Sequence, residues 1–108
     1  MKGYQVTFFT QQGRRHGHQT IEDWLMSTAK SLGIRGLTIT AGVEGIGRSG
    51  KVHSAHFFDL ADQPIEATMV LDEAQCQSLF DRLTAENAGL FYVKSAVEFG
   101  VVGGTGAG

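Results

Sequence analysis

The stretch 65–83, IEATMVLDEAQCQSLFDRL, decides the fold class because it passes from an extended segment straight into a helical one. Residues 65–71 are predicted to form a strand. Asp72 then stands at a helix N-cap, and Gln75 occupies the position that completes a capping box. The apolar side chains that follow recur at helical spacing, at Cys76, Leu79, Phe80 and Leu83, and the pattern stops at 87–89. The stretch predicts a strand and a helix with a single apolar face.

The N-terminal part of the chain repeats this arrangement. Residues 4–10 predict a strand, and the polar, glycine-punctuated residues 11–19 predict a loop. Thr20 is a good N-cap, with Asp23 three residues further on. Gly33 can adopt the left-handed backbone conformation in which helices commonly end. The helix between them has one apolar stripe, formed by Ile21, Trp24, Leu25, Thr28, Ala29 and Leu32.

Three further extended segments complete the chain. Residues 34–43 and 52–60 are predicted strands, and glycines crowd the residues between them, where regular structure should fail. Residues 91–99 predict the last strand, with Phe91, Val93, Val97 and Phe99 on one face and Tyr92, Lys94 and Glu98 on the other.

Residues 52–60 and 65–71 are extended segments interrupted by a turn around Asp62 and Pro64. Counted as one, they give the order β-α-β-β-α-β, which predicts a ferredoxin-like α+β sandwich with both helices on one face of an antiparallel sheet. We expect this domain to span residues 1–100 and the glycine-rich residues 101–108 to form a flexible tail. The neighbours Phe8 and Phe9 must point to opposite faces of their strand, and Phe57 and Phe58 repeat the pattern. Large apolar side chains on both faces predict that other subunits bury the open face.

Composition excludes several classes of function. Nine Lys and Arg against eleven Asp and Glu give a net charge of −2, which disfavours binding to nucleic-acid phosphates. A single cysteine, Cys76, excludes an internal disulfide and a zinc site of several thiolates. No window is apolar enough to span a membrane, and the N-terminus turns polar too early for a signal peptide. We therefore expect a cytoplasmic protein.

The glycine-rich residues 42–51 are the most unusual feature. Closely spaced glycines let main-chain N–H groups approach an anion, and Arg48 and Lys51 add positive charge beside them. The segment lacks the Gly-Lys-Ser/Thr ending of a Walker A loop and does not open a helix. Residues 42–51 could therefore be either a phosphate-binding loop or a mobile hairpin loop without a ligand, and the sequence does not decide between these two interpretations.

The other reactive residue types form no recognised catalytic set. His53 and His56 lie three apart, which in a strand puts them on opposite faces, and His16 and His18 sit in a polar segment. Cys76 falls on the apolar stripe of the second helix and is expected to be a small core side chain. No Ser/His/Asp arrangement is specified by spacing, so the chain is predicted not to be an enzyme.

At the glycine-rich segment the sequence resembles the PII signal-transduction superfamily. GIRGLTIT (33–40) and VEGIGRS (43–49) are similar to the family's second strand and the base of its T-loop, and QPIEATMVLDEAQCQSLFDRL (63–83) is similar to its third strand and second helix. RHG (15–17) looks closest to a PII-like branch of largely uncharacterised function. The resemblance implies a homotrimer that binds a small effector between subunits and regulates a partner, such as a membrane transporter or an enzyme, through a T-loop at about 44–62.

Residue by residue, the resemblance implies an effector site with three parts. Gly36, Leu37 and Thr38 match the adenine-side strand, Glu66 and Thr68 match positions on the third strand that line the same cleft, and the phosphate side matches Gly45, Ile46, Gly47, Arg48 and Ser49. The partner-contact part of the loop is expected at Glu44, Arg48, Lys51 and His53. No catalytic residue and no metal ligand is implied.

The chain differs from the family at positions that limit which effectors it can bind. The Gly-x-Gly-Lys loop after the second helix is replaced by ENAGLFY (86–92), and no basic residue follows 94 where the family has two arginines. Fewer cationic contacts favour AMP, ADP, a cyclic nucleotide or a small anion such as bicarbonate over ATP, with no resident cofactor. Tyr4 and Tyr92 both fall in predicted strands, so uridylylation of the loop is not expected.

Three alternatives remain open at the level of sequence. A metal-binding trimer similar to the CutA-like proteins would use His16, His18, His53 and His56 across a subunit boundary. A small enzyme in an intersubunit cleft would need a titratable pair, which the sequence does not identify. Binding of RNA to the open sheet face is disfavoured by the acidic balance.

Overall fold

A computed structural model describes residues 1–42, 44–46, 52–54 and 63–104, with the backbone alone described for the two short middle segments. The elements, in chain order, are β1 (Lys2–Gln11), β2 (Arg15–His16), β3 (Gln19–Thr20), α1 (Ile21–Ser31), β4 (Leu37–Ala41), β5 (Glu44–Ile46), β6 (Val52–Ser54), β7 (Pro64–Asp72), α2 (Glu73–Ala85) and β8 (Phe91–Glu98).

Strands β4, β7, β1 and β8 form one sheet in that order, and each neighbouring pair is antiparallel. Each helix connects two strands of this sheet that are not neighbours. The predicted α+β class, the antiparallel sheet and the two helices are confirmed. Two further two-stranded ribbons, β2–β3 and β5–β6, stand outside the main sheet.

The ends of both helices lie where local chemistry places them. The Thr20 hydroxyl accepts a hydrogen bond from the Asp23 main-chain N–H at 3.2 Å, and Gly33 ends α1 with φ +75°. At α2 the capping box is closed in both directions: Asp72 Oδ1 accepts from the Gln75 main-chain N–H at 2.7 Å, and Gln75 Oε1 accepts from the Asp72 N–H at 3.1 Å. These contacts satisfy N–H groups that a helix start otherwise leaves unpaired.

The core lies between the two helices and one face of the sheet. Phe8 pairs with Ala67 and Val6 with Met69, so alternate residues of β1 and β7 point to the same side and meet the helices. The largest side chains buried there almost completely are Phe8, Ile21, Leu25, Met69, Leu71, Leu79 and Val6. The apolar stripes predicted for both helices are therefore the faces that pack on the sheet.

Two predictions about irregular segments were wrong. Residues 11–19, expected as a loop, contain β2 and the start of β3, and Gly13 and Gly17 provide the positive φ angles of +86° and +65° that its turns require. Residues 44–46, where regular structure was expected to fail, pair with β6. The strand predicted at 34–43 is also shorter, because β4 begins only at Leu37. Of the strand predicted at 52–60, the described part is β6.

The open face of the sheet, which neither helix covers, divides into two halves. On β1 and β8 the apolar side chains Phe9, Phe91 and Val93 form what we call the apolar half: Phe9 pairs with Phe91, and Val93 lies opposite the polar Thr7. Phe91 and Val93 are 48% and 52% exposed. On β4 and β7 it carries a polar group, which we call the polar half: Thr38, Thr40, Glu66 and Thr68, with Val70 next along β7. The apolar set predicted for the last strand thus shares one face, and that face is the open one.

Candidate functional site

Three of the residues expected to bind the effector are brought together on the polar half of the open face. Thr38 of β4 lies opposite Thr68 of β7, and Thr40 lies opposite Glu66. Thr68 is also paired with Thr7 of the neighbouring strand β1, and the hydroxyl groups of the two threonines lie 3.0 Å apart. Thr40 belongs to the same surface and was missed from sequence, although the alternation of β4 places it on the same face as Thr38.

Leu37 and Gly36 differ from these neighbours. The side chain of Leu37 points to the opposite face, where it packs against the hydrophobic core, so only its main chain can border the polar surface. Gly36 is exposed, and a Cβ placed on it would meet no atom within 4 Å. The structure therefore leaves open space beside Gly36.

The stem of the expected T-loop rises from the edge of this polar surface. The Gly42 N–H donates to the Pro64 carbonyl at 2.7 Å, which ties the outgoing and returning segments together next to Glu66. Beyond it, Gly45 pairs with His53 and Ile46 with Val52. Glu44, opposite Ser54, begins this ribbon.

The remaining expected loop residues lie outside the described part of the chain: Gly47, Arg48, Ser49 and Lys51, together with His56, Phe57 and Phe58. The anion cradle assigned to them, and the partner-contact role of Arg48 and Lys51, stay predictions.

The β2–β3 hairpin is a feature of this end of the molecule that sequence reasoning missed. Its base is joined to the returning loop segment by the Gln12 N–H, which donates to the Gln63 carbonyl at 2.8 Å. Arg14 donates through its guanidinium to the carbonyls of Ala88 and Gly89, just after α2. The hairpin thus connects the T-loop stem to the turn between α2 and β8.

His16 holds the same hairpin against both helices. Its ring lies 4.0 Å from the Trp24 ring, measured between centroids, and its Nε2 is 3.4 Å from the Glu86 carboxylate. Within the described residues, no three His, Cys, Asp or Glu side chains are grouped closely enough to hold a metal ion. His16 is therefore already engaged in packing, and the metal-binding alternative gains no support from the described part of the chain.

Cys76 is buried, as its position on the helical stripe predicts. Burial raises the pKa of its thiol; the nearby Lys94 ammonium opposes this shift and the Glu73 carboxylate adds to it. A raised pKa keeps the side chain as the thiol, which is a poor nucleophile.

One cavity of about 380 Å³ opens at the other end of the sheet. Lys2, Tyr4, Glu73 and Glu98 are among the residues that line it, and none of the expected effector residues does. No helix in the described residues is long and apolar enough to cross a membrane.

Comparison with solved structures shows the same fold in PII-like proteins. The nitrogen regulatory PII-like protein CPII from Thiomonas intermedia K12, bound to ADP, AMP and bicarbonate, is 16% identical and superposes with a TM-score of 0.62, covering 90% of this chain and 89% of that one. A PII-like signaling protein from Thermus thermophilus is 20% identical, with a TM-score of 0.65 and coverage of 90% and 88%. The apo form of CPII is 14% identical, with a TM-score of 0.54 and coverage of 90% and 92%.

No curated protein matches the chain in sequence. A family match does exist, to DUF190, described as "Uncharacterized ACR, COG1993", and it covers residues 3–98, which include every strand of the main sheet except the first residue of β1. With its ferredoxin-like fold shared with PII-like proteins, the chain belongs to the DUF190 family.

Proposed function

We propose that the protein is a PII-like signalling protein that works as a homotrimer in the cytoplasm and has no catalytic activity. It binds a small anionic effector in clefts between subunits: AMP, ADP, a cyclic nucleotide or bicarbonate. The T-loop at about 44–62 then changes its position and regulates a partner, such as a membrane transporter or an enzyme.

The observation that carries the proposal is the register of the sheet. It puts the exposed apolar side chains of Phe91 and Val93 on the same face as Thr38, Thr68 and Glu66. Exposed apolar surface of this kind is a common feature of subunit interfaces. A second copy that covers the apolar half would bring its own surface to the border of the polar half and turn an open face into a cleft.

The location of the T-loop stem supports the same interpretation. The stem begins at Gly42 and returns at Pro64, close in sequence to Glu66 on the polar half of the face. A ligand bound on this surface would therefore contact the base of the loop and could shift it. The proposed effector residues remain Gly36, Leu37 through its main chain, Thr38, Glu66 and Thr68, with residues 45–49 on the phosphate side.

The ligands in the similar structures agree with this class of effector. CPII from Thiomonas intermedia K12 was solved with ADP and bicarbonate, and with AMP as well. A fold shared at 16% identity does not transfer a ligand, so the nucleotide class is part of our proposal for this chain.

Two measurements on the whole protein test the proposal. Mass in solution should be three times that of the chain, and calorimetry should detect binding of AMP, ADP, cyclic AMP or bicarbonate. Thr38→Val keeps the shape of the side chain and removes its hydroxyl, so it should weaken binding, whereas Thr84→Val, on the exposed side of α2, should not. A monomer, or no heat with any of these ligands, would contradict the proposal.

A further inference from the structure

The β2–β3 hairpin, residues 12–20, brings a group of basic side chains to the T-loop end of the molecule. Arg14, Arg15, His16 and His18 lie within five positions, in a chain whose net charge is −2. The hairpin shares this end with the T-loop stem, because Gln12 is hydrogen-bonded to Gln63. Among the other described basic residues, Lys2, Lys30 and Arg35 lie at or near the other end of the helices and strands. Lys94 lies over the Tyr4 and Phe80 rings, and Arg82 lies in the last turn of α2.

Two of these basic side chains are already used to hold the hairpin in place. Arg14 is half-buried, and both of its terminal nitrogens donate to main-chain carbonyls after α2. His16 packs on Trp24 and faces Glu86. The main chain adds a further contact, in which the Ile21 N–H donates to the Arg14 carbonyl at 2.7 Å. The hairpin is thus fixed on both helices by contacts on either side of Arg15.

Arg15 differs from Arg14 because its guanidinium is exposed. Within the described part of the chain it donates one hydrogen bond, from Nη2 to the His18 carbonyl at 2.6 Å. This bond orients the group, and no acceptor in the described residues is bonded to its other N–H donors. Glu22 and Asp23, in the first turn of α1, form no ion pair with it in the described residues.

We infer that Arg15 contacts the anionic group of the effector, a phosphate or a carboxylate-like anion. The inference rests on the proposed function, in which an anionic effector binds at the T-loop end. A planar guanidinium that is oriented by one bond can bind two oxygens at once through its other edge, which meets no acceptor among the described residues. Its attachment to a fixed hairpin reduces the ordering that binding would require. Arg15 would add to the positive charge that the sequence assigns to Arg48.

The test uses Arg15→Gln, which removes the charge and keeps a polar side chain. The control is Lys30→Gln, which removes an exposed positive charge from the last turn of α1, away from the proposed effector residues. Binding of AMP, ADP, cyclic AMP, bicarbonate and uncharged adenosine is measured by calorimetry at low and high salt. For Arg15→Gln we expect AMP to bind roughly tenfold to a hundredfold more weakly, the usual cost of one charged hydrogen bond. Adenosine should bind as it does to the unmodified protein.

The possible outcomes distinguish a failure of the inference about Arg15 from a failure of the proposed function. If the unmodified protein binds none of the anions, both fail. If it binds AMP or bicarbonate but Arg15→Gln behaves like Lys30→Gln, the inference alone fails. Equal losses for AMP and adenosine would also overturn it, because the residue would then act through the fold. Arg15→Lys retains the charge without the fork and should lose less affinity than Arg15→Gln; melting curves confirm that each variant is folded.

Discussion

The rings of Phe9 and Phe91 lie 5.8 Å apart on the face of the sheet that neither helix covers. Val93 continues this apolar half, and it is 52% exposed in the single chain. Full burial of such a side chain from water contributes about 1.5–3 kcal/mol. Because Val93 is already about half buried, a trimer that covers it gains roughly half of this from each copy.

Val93→Asp should therefore prevent trimer formation, because a carboxylate would have to leave water without a partner. Val102→Asp is the matched control, since Val102 is fully exposed after the last strand. Native mass measurement should find Val93→Asp as a monomer and Val102→Asp as a trimer. If both variants stay trimeric, the apolar half of the open face is not the interface.

The capping box at the start of α2 predicts a loss of stability for Asp72→Ala. The change removes the acceptor of the Gln75 N–H, and helix-cap substitutions of this kind cost about 1 kcal/mol. For a domain of this size the melting temperature should fall by roughly 4–8 °C. Asp81→Ala, which removes an exposed carboxylate from the middle of α2, should change it less. All variants must be compared at one protein concentration, because assembly itself raises the melting temperature.

The sequence predicted those parts of the fold that depend on residues close together in the chain. The caps at Thr20 and Asp72, and the stripes of both helices, depend on spacings within a few residues, and the structure contains each of them. The hairpin at Arg15 was missed because its strands are two residues long, too short to show alternation. The contacts that hold the hairpin in place are long-range: Arg14 and Ala88 are 74 positions apart, and His16 and Glu86 are 70 positions apart.

The candidate site was predictable in part for a similar reason. Alternation along β4 and β7 assigns Thr38, Glu66 and Thr68 to faces of their strands, but only the register shows that the faces coincide. The same register moves the side chain of Leu37 into the core, a result that a match of sequence motifs alone does not contain.

Gly3 and Gly36 make a pair of substitutions with opposite expected effects. A Cβ at Gly3 would lie 1.9 Å from the Leu71 carbonyl oxygen and 2.9 Å from the Phe99 ring, and a main-chain oxygen cannot move aside cheaply. Gly3→Ala should therefore cost about 3 kcal/mol or prevent folding. Gly36→Ala meets nothing within 4 Å, so it should fold normally. Denaturant unfolding followed by the fluorescence of Trp24, the single tryptophan, measures both. Calorimetry on Gly36→Ala then reports whether the effector approaches this position, with weaker binding expected.

Because Cys76 is buried, we expect the stability of the protein to depend on pH under alkaline conditions. Burial raises the pKa of its thiol in the folded protein above the ordinary value of 9.0, so the unfolded chain loses this proton first as the pH rises. The contribution of Cys76 to the free energy of unfolding is thus constant below about pH 9 and decreases above it. Cys76→Ala lacks this titration, so the difference in unfolding free energy between the two proteins should shrink from pH 8 to pH 10. At pH 8 a thiol reagent should react with the native protein far more slowly than with the unfolded chain. Rapid labelling of the native protein would show that the thiol is accessible and would contradict its place in the core.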